Sequence, residues 1–441
     1  MSIVAETDPT ETARPSNDHV RELLIDISNI ARGDARTGIQ RVVRATVLAI
    51  QGLAIDGISV RLVAANRTTP YRYLPSDWLN RSGAGRSLKL DEREAVEPGE
   101  GDIFLGLDFT SSILPHHERQ IARWREHGVS VNLVLYDMLP MTHGQWFTHR
   151  IRRNFRRWAK LAERRADRVI AISRSVADEF DSWQRRLRIR KGRKVPAVTM
   201  QLGCDIAASL PSRGLPSNAT ELLDWMARRP TVLMVGTVEP RKGHGQAIAA
   251  FQHIWANDPN APQLLVIGRP GWQTSALQRA MRQLGRDEAR FRWVDGASDE
   301  FLQGLYEASA GLLVASEGEG FGLPIVEALA HGRPVLAREL PVFRELARPG
   351  VSFFDAATPR DLGQAISAWL VAQQASEFRV VPGPLPTWHE AAVGLVELIV
   401  PGCLAQRAPL TAIPVPLKTV APAAVGRGIP GARVAGRSAR G

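Results

Sequence analysis

The feature that most constrains the fold of this chain is an alternation of short apolar runs with amphipathic segments, which occurs in two successive series. The first series starts near residue 20 and the second near residue 230. Most runs are apolar throughout, as in 131–137 and 231–237, which is typical of parallel strands covered on both faces by helices. The pattern therefore predicts an α/β chain with two doubly wound, Rossmann-like domains.

Eleven apolar runs are predicted as strands. They cover residues 22–28, 60–65, 102–107, 131–137, 168–173, 197–202, 231–237, 264–269, 291–296, 311–316 and 334–338. Helical spacing of apolar residues predicts helices over 39–53, 245–256, 275–285, 299–310 and 323–332. Because doubly wound sheets bind ligands beyond the carboxyl ends of their strands, two facing domains predict a functional site in the cleft between them.

Composition and proline placement divide the chain into six segments. They are a disordered leader (1–19), a first domain (20–210), a linker (211–229), a second domain (230–385), a closing helix (386–400) and a disordered basic tail (401–441). The linker is predicted from prolines within and beside it, and the tail from its Ala, Pro, Gly and Arg content without periodicity.

Apolar runs, the N-terminal residues and cysteine usage predict a cytoplasmic protein. No run of eighteen apolar residues occurs, and residues 1–19 lack the basic start and apolar stretch of a secretory signal. The two cysteines, Cys204 and Cys403, are far apart in the chain and have neither disulfide-framework nor metal-ligand spacing.

The most informative segment is SEGEGFGLPIVEALAHGRPV, residues 316–335. A predicted strand ends at its start, and a glycine-interrupted loop leads into a helix whose first amides favour an anion such as pyrophosphate. Gly320 and Gly322 let the backbone approach a ligand closely. Glu319 and Glu327 are eight residues apart, and their carboxylates could accept hydrogen bonds from sugar or ribose hydroxyls. The alternative is a solvated loop followed by a surface helix.

This segment resembles the Glu–seven residues–Glu motif of retaining GT-B glycosyltransferases of the family-four group. The resemblance implies that Glu319 lies beside the transferred sugar and that Glu327 holds the ribose hydroxyls of the nucleotide. It also implies a donor pocket for sugar and phosphate lined by Gly320, Phe321, Gly322 and Leu323. The GT-B fold has two facing Rossmann-like domains with an interdomain cleft, as the strand pattern predicts.

Residues 235–251, VGTVEPRKGHGQAIAAF, resemble the diphosphate loop of the same family. Gly236 belongs to this loop, and Arg241 and Lys242 offer fixed positive charge where a leaving nucleotide diphosphate accumulates negative charge. No Asp-x-Asp triplet occurs in the chain. We therefore predict that no catalytic metal and no cofactor are required. The alternative is an exposed basic loop.

The first domain carries weaker matches. Residues 26–44 resemble the first strand, loop and helix of a subgroup that builds bacterial surface polysaccharides. The amides of Thr37 and Gly38 at the helix start could contact phosphate or acceptor; the alternative is that Gly38 only shapes the turn. Asp137, at a predicted strand end, is a candidate catalytic residue on the acceptor side, or caps the turn. Many relatives carry His-Asp where this chain has Tyr136-Asp137, so the role assigned to that histidine is in doubt.

With the closing helix, which resembles the family's Trp-containing helix that crosses back onto the first domain, the resemblance covers about residues 20–400. Trp388 in this helix is interpreted as structural. The resemblance implies transfer of a hexose, with retention of configuration, to a glycan or lipid-linked acceptor in surface polysaccharide or lipopolysaccharide synthesis. GDP-mannose is the first choice of donor, followed by dTDP-rhamnose or a UDP-sugar.

Positive charge is concentrated in two patches. One is the predicted tail, where residues 402–441 hold 6 Lys and Arg and no acid, and the other is a larger internal stretch. Residues 150–194 hold 17 Lys and Arg against 5 Asp and Glu, and this surplus exceeds the net charge of +11 of the whole chain. Within it, residues 148–166 form a basic amphipathic segment with Phe155 and Trp158 on its apolar face. Such a helix predicts docking on the inner face of an anionic membrane. The alternative is that the apolar face packs on the domain core.

Two other classes of function are weighed against this one. The first is another GT-B enzyme, a phosphorylase or a sugar-nucleotide epimerase, but we identify no pyridoxal-binding lysine context. The second is a basic nucleic-acid or membrane-binding module. No RNA-binding or helix-turn-helix signature is present, and aromatic residues do not alternate with the basic ones as in a stacking platform. A nucleic-acid partner is therefore not expected.

Overall fold

The computed structural model describes residues 20–34, 37–80, 88–188, 194–205, 214–374, 380 and 385–404. The leader predicted over 1–19, the tail beyond 404 and the start of the predicted linker, 211–213, lie outside the described residues.

Among the described residues, the first domain is built on a seven-stranded sheet. Its strands are β1 (Arg21–Asp26), β2 (Ile58–Ala64), β3 (Arg72–Leu74), β4 (Ile103–Gly106), β5 (Ser130–Leu135), β6 (Arg168–Ala171) and β7 (Ala197–Thr199). Its helices are α1 (Ser28–Arg32), α2 (Gly38–Gln51), α3 (Glu118–Glu126), α4 (Leu139–Thr142), α5 (His149–Arg165) and α6 (Arg174–Arg188). The spatial order is β3-β2-β1-β4-β5-β6-β7, and only β3 is antiparallel to its neighbour within this described sheet.

The second domain has a six-stranded parallel sheet in the described part of the chain. Its strands are β8 (Thr231–Val235), β9 (Gln263–Ile267), β10 (Phe291–Val294), β11 (Gly311–Val314), β12 (Val335–Arg338) and β13 (Val351–Phe354). Its helices are α7 (Ala219–Ala227), α8 (His244–Asn257), α9 (Ser275–Asp287), α10 (Asp299–Ala308), α11 (Leu323–Ala330), α12 (Pro341–Arg344) and α13 (Pro359–Gln374). The order is β10-β9-β8-β11-β12-β13.

Both sheets are doubly wound, so the predicted fold class is confirmed. Strand order reverses between β1 and β4 in the first sheet and between β8 and β11 in the second. Each sheet separates two hydrophobic cores because neighbouring strand residues point to opposite faces. Leu23 and Leu24, for example, are fully buried on opposite faces of the first sheet. The two reversal points place a ligand-binding crevice at the carboxyl ends of β1/β4 and β8/β11.

The final described helix, α14 (Trp388–Ile399), belongs to the first core although it follows the second domain in sequence. A capping box between Thr387 and Glu390 starts this helix. Trp388 is buried, and its backbone amide donates to Asp205 at 2.8 Å. The predicted packing role of Trp388 agrees with this position.

The structure differs from the predicted linker at α7, which lies within 211–229. Ala219, Leu222, Trp225 and Met226 of this helix are buried in a core of the second domain. The prolines around this segment favoured a linker, but the helical spacing of its apolar residues produces a packed helix. Residues 219–227 are therefore part of the second domain.

The basic helix α5 buries its apolar face. Phe155 and Trp158 are 0% and 2% exposed and belong to a core of the first domain. The packing alternative is thus correct for these two side chains. They could insert into a membrane only if α5 detached from the core of the first domain. No described helix is both long and apolar enough to cross a bilayer.

Candidate functional site

Two loops at the carboxyl ends of neighbouring strands form the centre of the candidate site. The loop after β8 contains Gly236 and leads to α8, and the loop after β11 leads to α11. Gly243, at the start of α8, has φ +70°, and a side chain there would run into the carbonyl of Ala315. Glycine at this position therefore lets the two loops lie against each other.

Three predicted site residues meet between these loops. Glu319 accepts hydrogen bonds from the Arg241 guanidinium at 2.7 Å and from the Lys242 ammonium at 2.5 Å. Ser316 donates to the same carboxylate at 2.8 Å. Arg241 also donates to the carbonyl of Gly318 at 2.9 Å. We call Arg241, Lys242 and Glu319 the charge cluster.

Electrostatics favour the charged forms of Glu319 and Arg241. Burial raises the pKa of Glu319, but the charges of Arg241 and Lys242 outweigh burial and the pKa falls to about 2. Burial lowers the pKa of Arg241, but Glu319 and Glu239 raise it above its ordinary value. The cluster thus holds two cations in a fixed place, with side chains that are no more than 16% exposed. Such an arrangement favours a polyanionic ligand next to a group that accepts hydrogen bonds.

The first domain reaches the same place through the end of β5. Gly320 lies so close to the carbonyl of Tyr136 that a Cβ atom would overlap it, and Ser173 donates to the carbonyl of Gly320 at 2.7 Å. Burial raises the pKa of Asp137, and the charge of Arg241 opposes this rise. Asp137 also accepts from the amide of Leu139 at 3.0 Å, so it caps the turn and faces the charge cluster as well.

Tyr136 points away from the site. Its hydroxyl donates to the carbonyl of Leu107 at 2.7 Å inside the first domain, and burial raises its pKa well above the ordinary value. The side chain that stands in place of the family's histidine is therefore packed in the core and not directed at the charge cluster.

Glu327 is buried and carries two partners. It accepts from Arg41 of α2 and from the hydroxyl of Tyr306 at 2.8 Å. Arg41 also pairs with Asp299 at 3.0 Å, so one first-domain guanidinium binds two acids of the second domain. Ribose hydroxyls at Glu327 would compete with Arg41. Arg41 is not among the predicted site residues, although it lies in the first turn of α2, three residues after Gly38.

The remaining donor-pocket candidates join the domains. Phe321 and Leu323 are partly buried and pack against cores of both domains. Gly322, between them, has φ +115° and begins α11. The loop that carries Glu319 is therefore held from both sides of the cleft.

Thr37 and Gly38 lie away from the charge cluster, at the start of α2. Thr37 caps the helix in a capping box with Gln40. Both Thr37 and Gln40 line a pocket of about 440 Å³ together with Asn29, Arg32, Gly33, Ile39, Asp108 and Phe109. This pocket is at the carboxyl ends of β1 and β4, where a doubly wound sheet binds ligands.

Asp108 lines that pocket and interacts with a second buried carboxyl, Asp26, and this pair predicts a pH effect on stability. Burial and the neighbouring Asp26 raise the pKa of Asp108 from 3.8 to about 7, and burial raises that of Asp26 to about 6. The folded chain then holds more protons than the unfolded chain between these pKa values, so stability falls as pH rises from about 4 to about 7.

We expect Asp108→Asn to reduce this decline, because the amide does not titrate. The variant should still fold, since its amide oxygen can accept from the backbone amides of Asn29 and Ile30, which donate to a single oxygen of Asp108 at 2.7 and 2.8 Å. A single coupled carboxyl contributes up to about 1.4 kcal/mol per pH unit. Melting temperatures from pH 4 to pH 8 measure the effect, with the exposed Glu126→Gln as control. Parallel pH curves for wild type and Asp108→Asn would show that Asp108 does not titrate in this range.

No group of three or more His, Cys, Asp or Glu side chains in the described residues has an arrangement that could hold a metal ion.

Comparison with known proteins identifies relatives of this chain. Residues 223–379 match the model of the family Glycosyl transferases group 1. The chain is 36% identical over 382 residues to the serotype-specific mannosyltransferase WbdA of Escherichia coli, covering 86% of this chain and 46% of WbdA. It is 30% identical over 193 residues to O-antigen chain mannosyltransferase B of Escherichia coli, covering 41% of this chain and 50% of that protein. The chain thus spans about half the length of the curated relatives it matches.

Solved structures show the same fold. Anabaena Alr3699/HepE in complex with UDP and glucose aligns over 86% of this chain and 95% of its own, with a TM-score of 0.54 and 18% identity. Sucrose-phosphate synthase from Thermosynechococcus elongatus aligns over 86% and 98%, with a TM-score of 0.57 and 18% identity. These structures confirm the predicted GT-B fold. The predicted resemblance to glycosyltransferases is confirmed by the family match over residues 223–379 and by the relatives above.

Proposed function

We propose that this chain, whose residues 223–379 match the family Glycosyl transferases group 1, transfers a hexose from a nucleotide sugar to a glycan acceptor in surface polysaccharide synthesis. The observation that carries the proposal is the charge cluster. Two fixed cations at the carboxyl ends of β8 and β11 suit the diphosphate of a leaving nucleotide, and Glu319 between them suits the hydroxyls of the transferred sugar.

The mechanism that we propose is retaining. The acceptor hydroxyl approaches the face of the sugar that the phosphate leaves, and a phosphate oxygen takes its proton, so no protein nucleophile is needed. Arg241 and Lys242 stabilise the negative charge that develops on the diphosphate, helped by the first amides of α8. Asp137 faces this point from the first domain and is proposed to orient the acceptor hydroxyl. Glu327 is proposed to exchange Arg41 for the ribose hydroxyls.

GDP-mannose is the proposed donor, since two of the relatives are mannosyltransferases. Transfer to an O-antigen or related lipid-linked glycan is proposed on the same ground. A UDP-sugar is an alternative donor, because one structural neighbour is in complex with UDP and glucose. A further alternative is dTDP-rhamnose.

The experiment that tests the proposal is the release of nucleoside diphosphate from a panel of nucleotide sugars, run with excess EDTA and without it. We expect cleavage of one donor at rates that EDTA leaves unchanged, because Arg241 and Lys242 supply the positive charge that a metal supplies in other transferases. Cleavage of no donor would refute the proposed function. Loss of activity in EDTA that Mg²⁺ or Mn²⁺ restores would refute the metal-independent mechanism alone.

We also propose that α5 docks on an anionic membrane surface by charge alone, since its apolar face is packed. Its exposed side chains are almost all basic; these are His149, Arg150, Arg152, Arg153, Arg156, Arg157, Lys160 and Arg164. Each Lys or Arg near an anionic leaflet contributes about 1 kcal/mol. A peripheral location on the inner face of the cytoplasmic membrane would place the enzyme beside lipid-linked acceptors.

Sedimentation with vesicles tests this docking. We expect the chain to sediment with anionic vesicles but not with neutral ones, and added salt to release it by screening. Gln at 152, 153, 156 and 157 should weaken binding by about 4 kcal/mol. The matched control replaces four exposed arginines of the second domain, at 228, 279, 282 and 286. If the α5 variant and the control variant sediment equally with anionic vesicles, or if wild type sediments equally with neutral and anionic vesicles, α5 is not a specific docking helix.

A further inference from the structure

Four aromatic rings from both domains lie together next to the charge cluster. His143, Trp146 and Phe147 follow α4 in the first domain, and Trp272 follows β9 in the second. The rings of His143 and Trp146 stack with centroids 4.5 Å apart, and those of Phe147 and Trp272 are 6.1 Å apart. The indole nitrogen of Trp272 donates to the carbonyl of Trp146 at 2.9 Å. We call these four residues the aromatic cluster.

Core packing does not account for the two tryptophans of this cluster. The chain has eleven tryptophans, and nine of them lie in one of the four hydrophobic cores or pack against one; these are Trp78, Trp124, Trp158, Trp183, Trp225, Trp255, Trp293, Trp369 and Trp388. Trp146 and Trp272 do neither, and both are half-buried. Large aromatic side chains that the core does not use are typical of binding surfaces.

The aromatic cluster lies beside the loop that carries Glu319. A Cβ atom on Gly318 would be 2.7 Å from the ring of Trp146, so the indole lies directly on this glycine. The carbonyl of the same glycine accepts from Arg241 at 2.9 Å, and Glu319 is the next residue. Only Gly318 therefore separates a ligand stacked on Trp146 from Arg241 and Glu319 of the charge cluster.

The backbone next to Trp272 is strained. Among the non-glycine residues that the structure describes, only Gln273 has a left-handed φ, at +56°. Thr274 donates to the carbonyl of Val238 at 2.8 Å and holds the end of this turn. Non-glycine residues adopt this conformation at a cost that surrounding structure must offset, and such residues cluster at functional sites. Trp272, next to this turn, contacts Trp146 and Phe147 of the first domain, and the Gln273 side chain is exposed.

We propose that the aromatic cluster binds a hexopyranose ring of the glycan acceptor. The C–H face of a pyranose is apolar and can stack on an indole, while its hydroxyls need polar partners at the rim. Gln145 and Gln273 are exposed and are the sequence neighbours of Trp146 and Trp272, so they can supply such partners. Three of the four rings come from the first domain, whereas Arg241 and Lys242 belong to the second domain, which favours the acceptor over the donor. This inference rests on the proposed function and names the acceptor subsite.

Kinetics of leucine variants test the acceptor subsite. We expect Trp146→Leu and Trp272→Leu to raise the KM for a glycan acceptor by about tenfold, the upper range for one aromatic contact. The KM for the nucleotide sugar should change much less. Trp272→Phe, which keeps a ring, should recover most of the acceptor affinity. Trp78→Leu is the matched control, because Trp78 is also half-buried but packs against the first core.

A binding measurement separates this inference from the proposed function. Saturation-transfer NMR of the full chain with methyl α-mannopyranoside should show the sugar protons in contact with wild type, and both leucine variants should weaken the signal. An unchanged signal and an unchanged acceptor KM in both variants would overturn the inference even if nucleotide sugars are cleaved. Loss of GDP affinity with an unchanged acceptor KM would instead assign the rings to the nucleobase and would also overturn it. If no donor is cleaved, the proposed function fails, and the sugar signal still decides the subsite.

Discussion

Replacing Glu319 with glutamine is expected to lower the rate of sugar transfer by about 10²–10³, the range for losing one preorganised electrostatic group. The side chain is nearly isosteric, so the loop should keep its shape. The loss arises because the neutral amide cannot pair with Arg241 and Lys242, which contact the carboxylate at 2.7 and 2.5 Å. Both cations would then lose the partner that fixes them. Initial rates with saturating donor and acceptor measure the effect.

Glu317→Gln is the matched control for this variant. Glu317 lies two residues away, is exposed and makes no ion pair with the charge cluster. We expect it to keep a rate within about twofold of wild type, as is usual for an exposed surface substitution. A Glu319→Gln enzyme with a normal melting temperature and a normal rate would mean that the reacting sugar lies elsewhere.

Replacing Lys242 with alanine is expected to weaken binding of the free nucleoside diphosphate by about 1–3 kcal/mol, the range for a charge-assisted hydrogen bond. The ammonium is only 15% exposed, so water cannot screen it fully. Titration calorimetry with GDP, or with the diphosphate of the donor that is cleaved, measures the loss. Arg279→Ala, at an exposed position of α9, is the control and should bind normally. Equal affinity of the Lys242 variant and wild type would place the diphosphate away from this loop.

Much of the fold could be predicted because parallel strands are buried on both faces and read as continuous apolar runs. The run 131–137 covers all of β5 except its first residue, and 231–237 contains β8. Strand β3 was missed because it is a three-residue antiparallel edge strand, RYL, whose polar first residue hides the pattern. Helix α7 differs from the predicted linker because the surrounding prolines favour a linker, while the apolar spacing within the helix lets it pack.

The charge cluster could be anticipated because each of its members belongs to a short local motif, and the sheet order brings the two motifs together. Arg41 and Glu327 are separated by 286 residues in the chain, and Trp146 and Trp272 by 126. No local pattern encodes such pairs, because they depend on how the two domains meet. The contacts across the cleft are therefore what the structure adds to the sequence.

The most direct test of the central claim is the NMR spectrum of the product that the chain forms from a cleaved nucleotide sugar and a glycan acceptor. If Arg241, Lys242 and Glu319 hold an α-linked donor for retaining transfer, the product is an α-glycoside, and Glu319→Gln forms it at least about 10²-fold more slowly. A β-glycoside, free sugar without any glycoside, or equal product from wild type and Glu319→Gln would contradict the account.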